Sequence, residues 1–127
     1  MRALLDTSVL LWWLSQPSRI RPDVMDALRE PDAVVLFSQV SLLEIQIKVS
    51  LKKLELDFPI DRVPDLAVES GLTALALSNA AIFTLAKLPN VHRDPFDRLL
   101  ICEAIQEGVA IVTSDDIIHQ YPVKVLW

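Results

Sequence analysis

Several carboxylates in this chain stand where a folded domain could use them together. Asp6 closes the apolar run Ala3-Leu4-Leu5, and Glu44 lies inside SLLEIQIKVSL. Asp94 and Asp97 open the helical pattern that follows His92-Arg93. Asp115 and Asp116 follow the run Val109 to Val112 through Thr113 and Ser114. Carboxylates that meet repel one another, which raises their pKa values and costs stability. A divalent cation removes that cost. Mg²⁺ prefers hard oxygen ligands and is usually held by a few carboxylates plus a substrate phosphate. Such a centre suits activation of water and hydrolysis of a phosphodiester. Zinc is not indicated, because there is one cysteine and no Cys/His cluster.

Each acid also has a purely structural reading. Asp6 in DTS can cap the helix that follows. Ser41 and Glu44 match a capping box, in which each side chain satisfies the other's backbone donor. Asp94-Pro95-Phe96-Asp97 is a helix start with Asp at the N-cap, Pro in the first turn and a second acid where the dipole favours it. Asp115 or Asp116 can cap a turn. Capping serves each residue separately and does not require the carboxylates to meet. Two placements ask for more than caps. Glu44 borders an apolar stripe of Val40, Leu43, Ile47 and Leu51, and Asp97 heads a stripe of Leu100, Ile101 and Ala104.

The elements that must position these acids alternate along the chain. Strands are expected at Ala3–Leu5, Ala33–Phe37, Leu72–Leu77, Val109–Val112 and Val123–Leu126. Helices are expected at Thr7–Ser15, Arg21–Glu30, Val40–Leu54, Pro64–Ser70, from the Ser78 cap to about Lys87, and at Asp94–Glu107 before Gly108. Phe58–Pro64 reads as a connector, and a short helical turn starts at Asp115. Continuous apolar strands alternating with helices predict a three-layer α/β/α sandwich around a central parallel sheet of about five strands. In such folds, helix N-termini and strand C-termini share one edge, where ligands bind. That edge should gather Asp6, Glu44, Asp97 and Asp115.

Bulk properties fit one domain spanning residues 1–127. Apolar residues make up 52% and charged residues 23%, which excludes a disordered chain. The net charge of −5 argues against phosphate contacts made by basic side chains alone, unless cations sit among the carboxylates. No apolar run is long enough for a membrane span, and Ala3–Leu5 is too short for a signal peptide. Cys102 is the only cysteine, so no intrachain disulfide forms, which fits a reducing cytoplasm.

LLDTSVLLWWL, SLLEIQIKVSLKKLEL, HRDPFDRLLICEA and VTSDD, in this order and spacing, resemble a PIN domain, and more narrowly the VapC-type toxins of toxin–antitoxin pairs. DPFDRLL is the most telling segment, and the resemblance runs to KVLW at the C-terminus. It implies a Mg²⁺- or Mn²⁺-dependent ribonuclease whose acidic quartet is Asp6, Glu44, Asp97 and Asp115. It also implies a hydroxyl residue near the last acid, here Thr113 or Ser114, together with homodimers and inhibition by a small antitoxin. Ala is common in this family where the chain has Cys102, and a small buried thiol serves equally there. Asp115 is preferred to Asp116 because it is nearer the strand end.

Supporting candidates around the quartet are Thr7, Arg93, Asp94, Arg98, Thr113, Ser114 and Asp116. Asp94 is read as the cap. Arg93 and Arg98 flank the site and can meet RNA phosphates or balance the acids, with solvated surface arginines as the alternative. His92 is read as a loop residue. Lys48 can approach a phosphate, while Lys52 and Lys53 form a solvated face. Trp12 and Trp13 point about 100° apart on one helix, so one can lie in the core and the other be exposed or at an interface, with a second core tryptophan as the alternative. Two other readings stay open. One is a phosphatase with Asp6 as nucleophile, although Ser8 stands where a second aspartate is usual. The other is a non-catalytic protein-binding module whose acids are only caps.

Overall fold

A computed structural model of the chain describes residues 1–127. Five short strands, β1 (Arg2–Leu5), β2 (Val34–Ser38), β3 (Thr73–Leu75), β4 (Ala110–Val112) and β5 (Val125–Leu126), form one sheet of order β3-β2-β1-β4-β5. All neighbours are parallel. Six α-helices connect them: α1 (Thr7–Ser15), α2 (Pro22–Leu28), α3 (Gln39–Ser50), α4 (Val63–Glu69), α5 (Asn79–Thr84) and α6 (Pro95–Glu107). Short 3₁₀ turns fill the joints, including Ile60–Arg62 in the expected connector and Asp116–Gln120 after β4. No helix is long and apolar enough to cross a membrane.

Alternation along β1 sorts the core into two layers, since successive side chains leave a strand on opposite faces. Ala3 and Leu5 pack with α1, α2 and α4 through Val9, Leu10, Val24 and Ala67. Leu4 packs on the other face with α5 and α6 through Ala81, Leu100 and Ile101. The three-layer sandwich is therefore present as expected. The chain winds outward from β1 through β2 to β3, then returns past α5 and α6 to place β4 on the other side of β1. Strand order reverses at β1 and β4, and the crevice beyond their C-terminal ends is the ligand position of such sheets.

Helix α3 departs from expectation in two ways. It stops at Ser50, four residues before the expected Leu54, because Lys52 adopts a left-handed conformation at φ 58°. Lys53 N–H then bonds Lys48 C=O and Lys52 N–H bonds Val49 C=O, a Schellman closure made without glycine. The expected buried stripe is also wrong. Leu43, Ile47 and Leu51 are exposed at 52%, 38% and 59%, whereas Val40, Ser41, Glu44 and Ile45 are buried. The helix is apolar on several sides, so its pattern alone does not select the inward face. Nor do the tryptophans divide between core and surface. Both are half-buried, Trp12 against Trp127 and beneath Arg19, and Trp13 donating to Ser70 Oγ at 2.9 Å.

Candidate active site

Asp6 follows the last residue of β1 and caps α1, its Oδ1 accepting from Val9 N–H at 2.8 Å. Its own N–H bonds Val112 C=O at 3.0 Å, so the sheet register continues through it. Continuing the pairs Leu4↔Leu36 and Leu5↔Val112 sets Ser38 and Thr113 on either side of Asp6. Burial pushes the Asp6 carboxyl up to about 6. The Thr113 hydroxyl and Val9 N–H oppose that rise, and the charges of Asp97 and Glu44 add to it.

Glu44 is 4% exposed and forms an ion pair with Lys48 through Oε2. Its Oε1 is buried with no partner. The capping box does not form, because Ser38 is the N-cap of α3 and its Oγ accepts from Val40 N–H at 2.9 Å. Ser41 instead lies inside the helix and accepts a 2.9 Å bond from Thr7 Oγ1. That buried bond ties the start of α1, with Asp6, to the helix that carries Glu44. Lys48 does not extend freely into solvent, as a phosphate-seeking lysine would. Glu44 raises its pKa by hydrogen bonding, and burial partly opposes this.

Asp94 caps α6, with Oδ1 accepting from Phe96 N–H at 2.9 Å and Asp97 N–H at 3.1 Å. The capping reading of Asp94 therefore stands. Asp97 begins the inward stripe as expected, and Leu100, Ile101 and Ala104 are fully buried. Burial raises its pKa, the hydrogen bond from His92 lowers it, and the charges of Asp94 and Glu44 raise it. Asp6, Glu44 and Asp97 thus act electrostatically on one another in every pairing.

His92 is not the bystander that its loop position suggests. Tyr121 Oη receives His92 N–H at 3.1 Å and Arg98 Nη1 at 3.1 Å, and lies 2.6 Å from His92 Nδ1. That oxygen already takes two donors, and its short contact with Nδ1 holds the ring in place. Nε2, on the far side of the ring, donates to Asp97 Oδ2 at 3.2 Å. Nothing in the sequence pattern joins His92 to Tyr121, because only the fold brings them together.

Asp115 stands apart from the other three acids. It is exposed, its Oδ1 caps the 3₁₀ turn through Ile117 N–H at 3.1 Å, and its N–H bonds Thr113 Oγ1 at 3.1 Å. It lies three residues beyond the end of β4, at the same edge, and Asp116 is the first residue of the turn that it caps. Of the two hydroxyl candidates, Thr113 is buried and touches the site, whereas Ser114 is exposed. Arg98 is fixed by Pro89 C=O at 2.7 Å and by Tyr121, while Arg93 is exposed.

As donors, these residues suit a hard cation. They are carboxylates with one orphaned buried oxygen on Glu44, and their mutual repulsion is the kind a cation relieves. They are not drawn into a finished coordination shell: no three His, Cys, Asp or Glu side chains are close enough together to hold an ion as they stand. Lys48 supplies the counter-charge to Glu44.

The PIN domain family model matches residues 3–124. The chain belongs to the PIN domain family. A PIN relative in sequence is Ribonuclease VapC22 of Mycobacterium tuberculosis, 26% identical over 121 residues, covering 94% of this chain and 92% of the relative. The fold is shared with VapBC2 from Rickettsia felis, solved bound to a DNA fragment from its promoter, at a TM-score of 0.74 and 17% identity over 99% of this PIN chain and 98% of that one. It is shared also with VapBC-1 from nontypeable Haemophilus influenzae, at a TM-score of 0.67 and 15% identity over 99% and 97%.

Proposed function

We propose that this PIN domain is an endoribonuclease that hydrolyses RNA phosphodiester bonds and is the VapC-type toxin of a toxin–antitoxin pair. The observation that carries the reading is the position of Asp6 after β1, Glu44 on α3 and Asp97 in the first turn of α6, with a buried Glu44 oxygen that has no partner. The ribonuclease name of the sequence relative supports it. Asp6, Glu44 and Asp97, with Asp115 completing the set, would hold Mg²⁺ or Mn²⁺. When bound, such an ion supplies an activated water and stabilises the leaving oxygen.

The chain's own residues perform the rest. Val9 N–H and Thr113 hold Asp6 in place, and Thr7 with Ser41 holds its distance to Glu44. His92 orients Asp97 and does not act as a base, because its free proton already faces the carboxylate. The exposed apolar ridge of α3, formed by Leu43, Ile47 and Leu51, is the surface we assign to the antitoxin. We further propose that residues 1–127 act as a single domain, that the chain works as a homodimer, and that it acts in the cytoplasm.

The test is RNA cleavage by purified chain, freed of any partner, with Mg²⁺ or Mn²⁺. Asp6→Asn and Asp97→Asn should each abolish cleavage while leaving the fold intact, since Asn keeps the cap at position 6. Undiminished cleavage by both variants would sink the proposal.

A further inference from the structure

A cavity of about 660 Å³ opens at the N-terminal end of α6, on the other side of His92 from Asp97, within the roughly 300–1,000 Å³ typical of small-ligand sites. Its polar lining is Asn90, His92, Arg93 and Arg98, and Leu85 and Val91 contribute to its apolar wall. No carboxylate lines it, although the chain carries 17 acidic residues against 12 basic ones. Arg93 makes no hydrogen bond or ion pair within the chain, so its guanidinium is free for an anion. Arg98 is pre-set by Pro89 C=O, Tyr121 Oη and Asn90 Oδ1. His92 is the shared wall: it lines the cavity and also donates to Asp97.

We propose that this cavity is a substrate subsite that takes one ribonucleotide of a single-stranded RNA, next to the phosphodiester being cut. The inference rests on the ribonuclease reading and adds where the flanking nucleotide sits. Arg93 receives the flanking phosphate. Leu85 and Val91 offer apolar surface to the base and ribose. Single-stranded RNA is recognised in this way, with splayed bases packed on side chains and phosphates met by arginine. The common His92 wall sets the occupied nucleotide one side chain away from Asp97, so filling the cavity brings the adjoining phosphodiester to the acids. An anion-lined surface could not do this, because it would repel the backbone before the acids were reached.

The experiment uses the full chain as Asp6→Asn, without metal, so that RNA binds but is not cut. Affinity for a short fluorescent single-stranded RNA is measured over a range of salt concentrations, in that parent and with Arg93→Ala or Asn90→Asp added. Both side chains are exposed, so melting midpoints should not move. Each change is expected to weaken binding by about tenfold, and Arg93→Ala should also flatten the slope of log K against log salt by about 0.7. Arg29→Ala, an exposed arginine on the far end of α2, should leave both quantities unchanged. If both cavity variants bind within about twofold of the parent with the same salt slope, the subsite is refuted, and the cavity then belongs to a protein partner or to none. If wild type with metal cuts RNA while its KM ignores both changes, the subsite falls and the ribonuclease reading survives. If the parent binds no RNA and wild type cuts none, both fall.

Discussion

Tyr121 Oη lies 2.6 Å from His92 Nδ1 and, with the His92 N–H also on that oxygen, holds the imidazole in place. The consequence reaches Asp97, whose Oδ2 lies 3.2 Å from Nε2 on the far side of the ring. A phenol just after the last 3₁₀ segment therefore aims a carboxylate at the start of α6. Tyr121→Phe removes the acceptor for both donors and should cost about 1–3 kcal/mol in unfolding, the usual penalty for buried groups left unpaired. The same variant should weaken Mn²⁺ binding by about tenfold or more, as loss of an outer-shell partner does.

Stability of the metal-free chain should fall as pH rises. The folded pKa of Asp6 is raised from 3.8 to about 6, and burial also raises those of Asp97 and Glu103. A carboxyl with a raised folded pKa contributes stability that is complete below its unfolded pKa and lost as pH climbs through its folded one. The melting midpoint should therefore be higher near pH 4.5 than near pH 7.5. Asp6→Asn should flatten this dependence and stabilise the chain at pH 7.5 by on the order of 2 kcal/mol. A midpoint that rises steadily over that window would show that burial does not raise the pKa of these carboxyls.

Glu103 is 2% exposed, hydrogen-bonded with Ser38 through Oε1, and has no partner for Oε2. Ser38 in turn caps α3, so this contact joins α6 to the β2–α3 junction. Glu103→Gln keeps a donor and an acceptor at the same place and should cost less than about 1 kcal/mol, whereas Glu103→Leu leaves Ser38 without that partner and should cost about 1–3 kcal/mol. Chemical denaturation of the two variants separates these outcomes.

The exposed ridge of α3 predicts a separable phenotype. Ile47→Arg should leave stability within about 0.5 kcal/mol, as surface changes do, and leave RNA cleavage unchanged. Inhibition by the cognate antitoxin should be lost. A variant still inhibited by the same dose of antitoxin, or one that melts early, would show that Ile47 is not part of the antitoxin surface.

Much of the layer plan was legible because β1, β2 and β4 are continuous apolar runs, as strands covered on both faces must be. Local signals also read directly: Ser78 and Asp94 cap their helices, and Gly108 closes α6 at φ 66°. The end of α3 was not legible, since Lys52 occupies the left-handed position usually given to glycine. Nor was its inward face, because tertiary bonds such as Thr7–Ser41 decided it. Three of the acids, Asp6, Glu44 and Asp97, could be placed from strand ends and helix starts. Thr7, Asp94 and Thr113 could be named beside them, but the longer-range partners could not. Ser38 and Glu103 are 65 residues apart and His92 and Tyr121 are 29 apart, distances no local pattern spans.

The central claim is that Asp6, Glu44 and Asp97 form one cation site. It is tested most directly by titrating Mn²⁺ into the purified chain while following thermal unfolding, beside the Asp6→Asn/Asp97→Asn double variant. A ligand that binds only the folded state stabilises it by about 2.7 kcal/mol at a hundredfold excess over Kd. The wild-type midpoint should rise with Mn²⁺ and the double variant's should not. An equal rise in both, or none in wild type at millimolar Mn²⁺, would contradict it.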